Sequence, residues 1–173
     1  MLPRSIAAKA SLQHSKMLII ADSSALVALA LCDGLDFLDQ LFDHIKVPQA
    51  VYDEVIVTGK PAAHTLQAYL QGKIVPVSLT NIIITGGGLG QGEMEAMALY
   101  KTLHADYLLV DDSRARKVAR LNQIIITGSQ GILLLAKRKG FISQVKPYLD
   151  RLRQTNIRIN EHLIQRTLNL ANE

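Results

Sequence analysis

The sequence predicts an α/β domain built on a mainly parallel central sheet with helices on both faces. Three observations predict it. Short runs of consecutive apolar residues, 17–21, 107–110 and 124–126, have the length of strands and lack the polar alternation of a solvated face. They therefore read as strands buried on both sides. Segments with helical spacing of apolar positions lie between these runs, and a strand-helix alternation joins parallel strands by crossovers. Finally, each run stops on residues that end a strand and open a helix: Asp22-Ser-Ser24, Asp111-Asp-Ser113 and Thr127-Gly-Ser129.

Taken in order, Met17-Leu-Ile-Ile-Ala21 is the first strand, and Ser24 to Ala30 the helix behind it. The stretch Gly34 to Phe42 carries apolar residues at 35, 37, 38, 41 and 42, one face of a second helix. Ile45-Lys-Val47 is a strand stopped by Pro48, which suits the first turn of a helix carrying Ala50, Val51, Glu54 and Val55. Thr58-Gly-Lys-Pro61 breaks that helix, and Ala62 to Leu70 forms the next one before Gly72. Ile74-Val-Pro-Val77 is an edge strand, because Pro76 would cost a central strand one ladder bond.

The triple Ile of Asn81-Ile-Ile-Ile-Thr85 suits a strand or a buried loop segment, and the glycine-rich Gly86-Gly-Gly-Leu-Gly-Gln-Gly92 follows it. Glu93 to Leu103 is a helix with acids in its first turn, where the helix dipole favours them. Tyr107 to Val110 is a buried strand, Arg114 to Leu121 a basic helix and Ile124 to Ile126 a third buried strand. The remainder is helical: Ile132 to Lys139, Ser143 to Arg153, and Glu161 to Leu170 with Asn160 as its cap.

At 173 residues, 49% hydrophobic, the chain is sized for one domain with a substantial core. Aromatic residues are only 5%, so that core is aliphatic. No apolar run is long enough to span a membrane. The single cysteine, Cys32, excludes an intramolecular disulfide and fits a reducing, cytoplasmic compartment. Net charge is +4, but the first sixteen residues carry Arg4, Lys9 and Lys16 and no acid. Without them sixteen basic groups face fifteen acidic ones, so the basic pI is weak support for a nucleic-acid partner. Residues 1–16 read as a disordered N-terminal extension, with the domain running from 17 to 173.

Four acidic clusters stand out: Asp22, Asp53-Glu54, Glu93 with Glu95, and Asp111-Asp112. Two follow buried strands and one opens a helix after the glycine loop, so one edge of the sheet can gather them. That is the edge where open α/β sheets bind ligands. Carboxylates brought together in a low-dielectric cleft repel strongly, and a cation relieves the repulsion. Carboxylate oxygens without Cys or His partners select Mg²⁺ or Mn²⁺ over zinc, and such ions serve phosphoryl chemistry. The competing reading makes the same residues separate caps and solvated acids; Asp22 in particular stands where a helix cap belongs. The glycine loop is not a nucleotide site, because Gly87 and Gly92 have the P-loop spacing but Glu93 stands where the lysine is needed.

Four motifs in order, Ile20-Ala-Asp22-Ser-Ser24, Val47-Pro-Gln-Ala-Val-Tyr-Asp-Glu54, Leu89-Gly-Gln-Gly-Glu93-Met-Glu95-Ala and Leu108-Leu-Val-Asp-Asp112-Ser-Arg-Ala-Arg, resemble the PIN domain family. The Gly-Glu-x-Glu-Ala signature and Thr127-Gly-Ser-Gln-Gly-Ile-Leu-Leu-Leu-Ala-Lys point within it to a branch of VapC-like toxin ribonucleases. The resemblance runs from about Met17 to the last helix. It implies a three-layer α/β/α PIN-like fold and a metal-dependent endoribonuclease, with Mg²⁺ or Mn²⁺ as cofactor and RNA as substrate. By the same resemblance Asp22, Glu54, Glu93 and Asp112 are the catalytic acids. Asp22, with Glu93 or Glu95 and Asp111 or Asp112, holds the metal. Val110 departs from the family pattern, which places Thr there.

Ser24 matches a hydroxyl near the metal, and Arg114 and Arg116, in the helix after Asp112, are placed to meet RNA phosphates. Arg120 and Lys117 share that basic stretch, while Asp53 reads as exposed helix surface. As the toxin of a toxin-antitoxin pair, the protein would form a homodimer and bind an antitoxin protein. Two alternatives are a PIN-like binding module without catalysis and a receiver-like, Mg²⁺-dependent phosphoacceptor domain. The latter needs a late Lys-Pro pair, and here Lys146-Pro147 falls in a helical region.

Overall fold

The computed structural model describes residues 16–173, so the expected disordered extension lies, save for Lys16, outside the described residues. Strand β1 (Leu18–Ala21) runs through the middle of a five-stranded sheet. With β2 (His44–Pro48), β3 (Ile74–Val75), β4 (Tyr107–Leu109) and β5 (Ile126–Thr127), the spatial order is β3-β2-β1-β4-β5. Every pairing is parallel, with Ile19 opposite Ile45 on one side and Tyr107 on the other.

The continuous apolar runs are explained by burial on both faces. Ile19, Ala21, Tyr107 and Leu109 face one cluster, packed with α1 (Ser23–Leu31), α2 (Asp36–Leu41) and α7 (Ser129–Arg138). That side also takes α3 (Gln49–Val55), α4 (Ala63–Tyr69), α8 (Lys146–Arg153) and α9 (Glu161–Ala171). Ile20, Leu108 and Val110 face the other cluster, closed by α5 (Gln91–Leu103) and α6 (Ser113–Leu121). Alternate residues of one strand therefore fill two cores, and no position is left for a polar residue. The result is the expected three-layer α/β/α fold.

Strand order also separates the competing α/β readings. The chain steps from β1 outward to β2 and β3, then returns to the other side of β1 for β4. A receiver-like domain has the order 2-1-3-4-5, so that alternative fails on topology. The direction reverses between β1 and β4, and ligands bind in the crevice beyond the carboxyl ends of strands at such a reversal. Asp22 follows β1 there and Asp111-Asp112 follow β4. The Asp22 N–H donates to Leu109 O at 2.9 Å, which holds the two strand ends side by side.

Several boundaries differ from the sequence reading for physical reasons. The third buried strand is Ile126–Thr127 rather than 124–126. The Leu108 and Val110 N–H groups donate to Ile125 O and Thr127 O, and that ladder sets the strand end. Pro48 closes β2 and stands just before α3 rather than in its first turn. The triple Ile is neither a strand nor a buried segment: Ile83 is 82% exposed. A side chain supplies what a neighbouring strand would have supplied. Asn122 accepts from Thr85 N and donates to Thr85 O, both at 2.8 Å. Lys101 Nζ adds a bond to Ile83 O at 3.0 Å. No helix of the described residues is long and apolar enough to cross a membrane.

Candidate active site

A cleft of about 1570 Å³ opens at the carboxyl edge of the sheet, and Asp22, Glu54, Glu93 and Asp112 all line it. Asp22 is its centre. It occupies the N-cap position of α1, yet its carboxylate makes no cap hydrogen bond, and Oδ1 is buried without any partner. The capping reading therefore fails for this residue. Only 2% of Asp22 is exposed, and burial pushes its carboxyl from 3.8 up to about 7. The adjacent Ser23 N–H opposes the rise, and the charges of Glu93, Glu54 and Asp112 add to it. A buried acceptor surrounded by like charges is what a cation would satisfy.

The other three acids arrive from separate elements. Glu54 stands on α3, with Oε2 close over the start of α5: a Cβ added at Gly92 would meet it at 3.2 Å and Val51 Cγ2 at 3.3 Å. Gly92 is buried in the first turn of α5, where glycine weakens a helix. Its missing side chain lets the two helices, and their two acids, approach. Glu93 Oε2 accepts from Gly90 N at 2.9 Å, which closes the first turn of α5 and fixes the carboxylate at the cleft wall. Asp112 does cap its helix, with Oδ1 accepting from Ala115 N at 2.9 Å. Ser24 Oγ accepts from the Asp111 and Asp112 N–H groups at 3.1 and 3.3 Å, so the hydroxyl ties α1 to the turn that carries both acids.

The structure also separates residues that the sequence left paired. Glu93 lines the cleft, whereas Glu95 points to the start of α3. Its Oε2 accepts from Ala50 N at 3.0 Å and its Oε1 from Gln91 Nε2 at 3.2 Å. Glu95 thus supplies the cap that Pro48 cannot. Asp111 is engaged as well: Oδ1 accepts from Ser129 N at 2.7 Å and Oδ2 from Ser129 Oγ at 2.6 Å. Burial raises its pKa against the pull of Ser129 and the nearby Arg116. Gly128 makes room for the arrangement, since a Cβ there would stand 2.8 Å from Asp111 Oδ1.

Arg114 is not a cleft residue; it donates to Gly88 O at 3.0 Å and holds the glycine loop. Arg116 does line the cleft, but Nη1 donates to Val110 O at 2.8 Å, so it braces the end of β4. Asp53 is exposed, as expected, and accepts from Gln49 Nε2 at 2.8 Å.

The PIN domain profile matches residues 18–173, nearly the whole described chain. The chain belongs to the PIN domain family. Among curated proteins and among solved structures, nothing matches it. PIN domains are generally nucleases and generally use divalent metals. The donors on this PIN cleft suit such an ion: they are all carboxylates, and Asp22 Oδ1 is a buried acceptor without a partner. They line one cleft. Among the described residues no group of three or more Asp, Glu, His or Cys side chains is close enough to hold an ion as placed.

Sequence reasoning missed the second wall of this PIN cleft. Lys60, Arg120, Arg158 and Arg166 line it, together with apolar positions of α9 and the segment before it. In the sequence Arg120 is one member of a basic stretch with no mark of its place at the cleft. Ser129 follows a strand end in the sequence, and the paired acids Asp111-Asp112 are the signal that one of them needs an internal donor.

Proposed function

We propose that this PIN domain is a divalent-metal-dependent endoribonuclease that hydrolyses RNA phosphodiesters, with Asp22, Glu54, Glu93 and Asp112 holding Mg²⁺ or Mn²⁺. One observation carries the reading: the Asp22 carboxylate is buried, with Oδ1 left without a partner, under the like charges of Glu93, Glu54 and Asp112, an arrangement that opposes folding and is relieved by a cation. When bound, such an ion activates water and stabilises the charge that develops on the phosphoryl group.

The chain's own residues set up that chemistry. Ser24 fixes the Asp112 backbone, Ser129 occupies both oxygens of Asp111, which lines the cleft beside Asp112, and Glu95 anchors α3, the helix that carries Glu54. We further propose the toxin role in a toxin-antitoxin pair, with a homodimer, an antitoxin partner and a cytoplasmic location. These proposals rest on the resemblance of the Gly-Glu-x-Glu-Ala motif.

The deciding experiment compares the parent and Asp22→Asn on single-stranded RNA with Mn²⁺ or Mg²⁺. The parent should cleave and the variant should not; equal cleavage by both removes the assignment. The other reading is a PIN-like binding module without catalysis. A parent that binds RNA and cleaves none with either ion would establish it.

A further inference from the structure

Most acids of the cleft lie at the ends of β1 and β4 and on the adjoining α3 and α5, with Arg116 and Arg120 of α6 beside them. The far wall brings Arg158 and Arg166, and its acid, Glu161, is paired with Arg153. That wall is tied directly to the acidic edge. Thr167 on α9 hydrogen-bonds the side chain of Gln130, and the neighbour of Gln130, Ser129, is the residue that grips Asp111. Arg166 therefore stands one residue from a contact that leads straight to the catalytic turn. Arg158 projects from the segment between α8 and α9, and both arginines are exposed.

Neither arginine side chain has a hydrogen bond or ion pair among the described residues, and the same is true of the Lys60 side chain at the cleft. The contrast with their neighbours is informative. On α8 the cations are matched: Lys146 with Asp150, Arg151 with Asp33, and Arg153 with Asp150 and with Glu161 of α9. Leaving cations unmatched beside a cleft concentrates positive potential where an anionic chain would enter.

The surface between them is aliphatic. Leu163 and Leu170, 45% and 44% exposed, flank Arg166 on one face of α9, since positions 163, 166, 167 and 170 follow the helical repeat. Ile157 and Ile159 add to this surface beside Arg158. Side chains of this kind are useful to nucleic acid only when bases are unstacked and turned outward, because a duplex hides its base faces. No aromatic side chain lines the cleft, so selective base stacking is not available there.

We propose that α9 and the segment before it form the substrate track of this domain: Arg158 and Arg166 hold successive phosphates of a single-stranded RNA whose bases rest on Leu163 and Leu170. The inference rests on the endoribonuclease reading for its choice of ligand. It replaces Arg114 and Arg116, both committed to backbone carbonyls, with two arginines from the opposite end of the chain.

The test is binding of a fluorescently labelled single-stranded oligoribonucleotide to the full chain in EDTA, followed by anisotropy over a range of salt concentrations. Arg158→Gln and Arg166→Gln should each lower the slope of log K against log salt by about 0.7, and the double variant by about 1.4. Lys139→Gln, outside the cleft, should leave the slope unchanged, and melting temperatures should stay at the parent value because neither arginine has a partner to lose. Parental slopes in the double variant, or an equal fall in the Lys139 control, would overturn the track. The two readings fail separately: a parent that cleaves RNA while the double variant keeps its slope sinks the track alone. A parent that neither binds nor cleaves sinks both.

Discussion

Replacing Asp22 by Asn isolates the charge at the centre of the cleft. Folding raises the Asp22 carboxyl from 3.8 to about 7, chiefly by burial. The folded chain therefore holds this proton more tightly than the unfolded chain does. Ionising Asp22 costs the fold stability as pH rises above 3.8, and the penalty is complete above about 7. At about 1.4 kcal/mol per pH unit, the full penalty is roughly 4 kcal/mol, of which roughly 2.3 develops between pH 5 and pH 7. Asn carries no charge at any of these values. Its buried amide has a fixed cost, but that cost is the same at each pH and cancels when two pH values are compared.

The stability of Asp22→Asn relative to the parent, without divalent ions, should therefore improve by about 2–3 kcal/mol from pH 5 to pH 8. For a chain of this size that is a relative gain in melting temperature of roughly 4–12 °C. Urea unfolding at the two pH values measures it, and groups common to both proteins drop out of the difference. Added Mn²⁺ should stabilise the parent at pH 8 and close the gap, while leaving the variant where it was. A stability difference that is flat with pH to within about 0.5 kcal/mol would show that Asp22 is not the buried, uncompensated charge described above.

Three further predictions follow from the geometry. Glu93→Gln should abolish the rise in melting temperature caused by Mn²⁺, whereas Glu95→Gln should keep that rise and lower basal stability by about 1 kcal/mol, the value of a lost helix cap; calorimetry with and without the ion separates them. Ser129→Ala leaves one oxygen of Asp111 without its hydroxyl donor and should destabilise by about 1–3 kcal/mol, read from urea unfolding. Asn122→Ala removes both bonds to Thr85, so proteolysis within residues 82–90 should accelerate without a fall in global stability beyond about 1–2 kcal/mol.

The sequence by itself determined the layers and the edge where chemistry gathers. Burial on both faces writes itself as unbroken apolar runs, and the end of such a run must meet polar residues, so Asp22 and Asp111-Asp112 were legible at strand ends. Helix interiors were equally legible from their repeat, while the boundaries of β5 and of the triple-Ile segment were not. A strand end depends on which carbonyl lies opposite, and an exposed Ile looks like a buried one until its neighbours are known.

Only the tertiary structure decided among adjacent acids. Glu93 and Glu95 are two residues apart on one helix and differ only in direction, and that direction is set by whether a cleft or the orphan N–H of Ala50 lies within reach. Asp111 and Asp112 both line the cleft and differ in partner: Ser129, eighteen residues downstream, takes both oxygens of Asp111, while Asp112 caps its own helix. The arginines of the far wall were beyond pattern reading altogether, because nothing local distinguishes a cation facing a cleft from one facing water. The difference is made by Thr167 meeting Gln130 across 37 positions, a contact that exists only when the chain is folded.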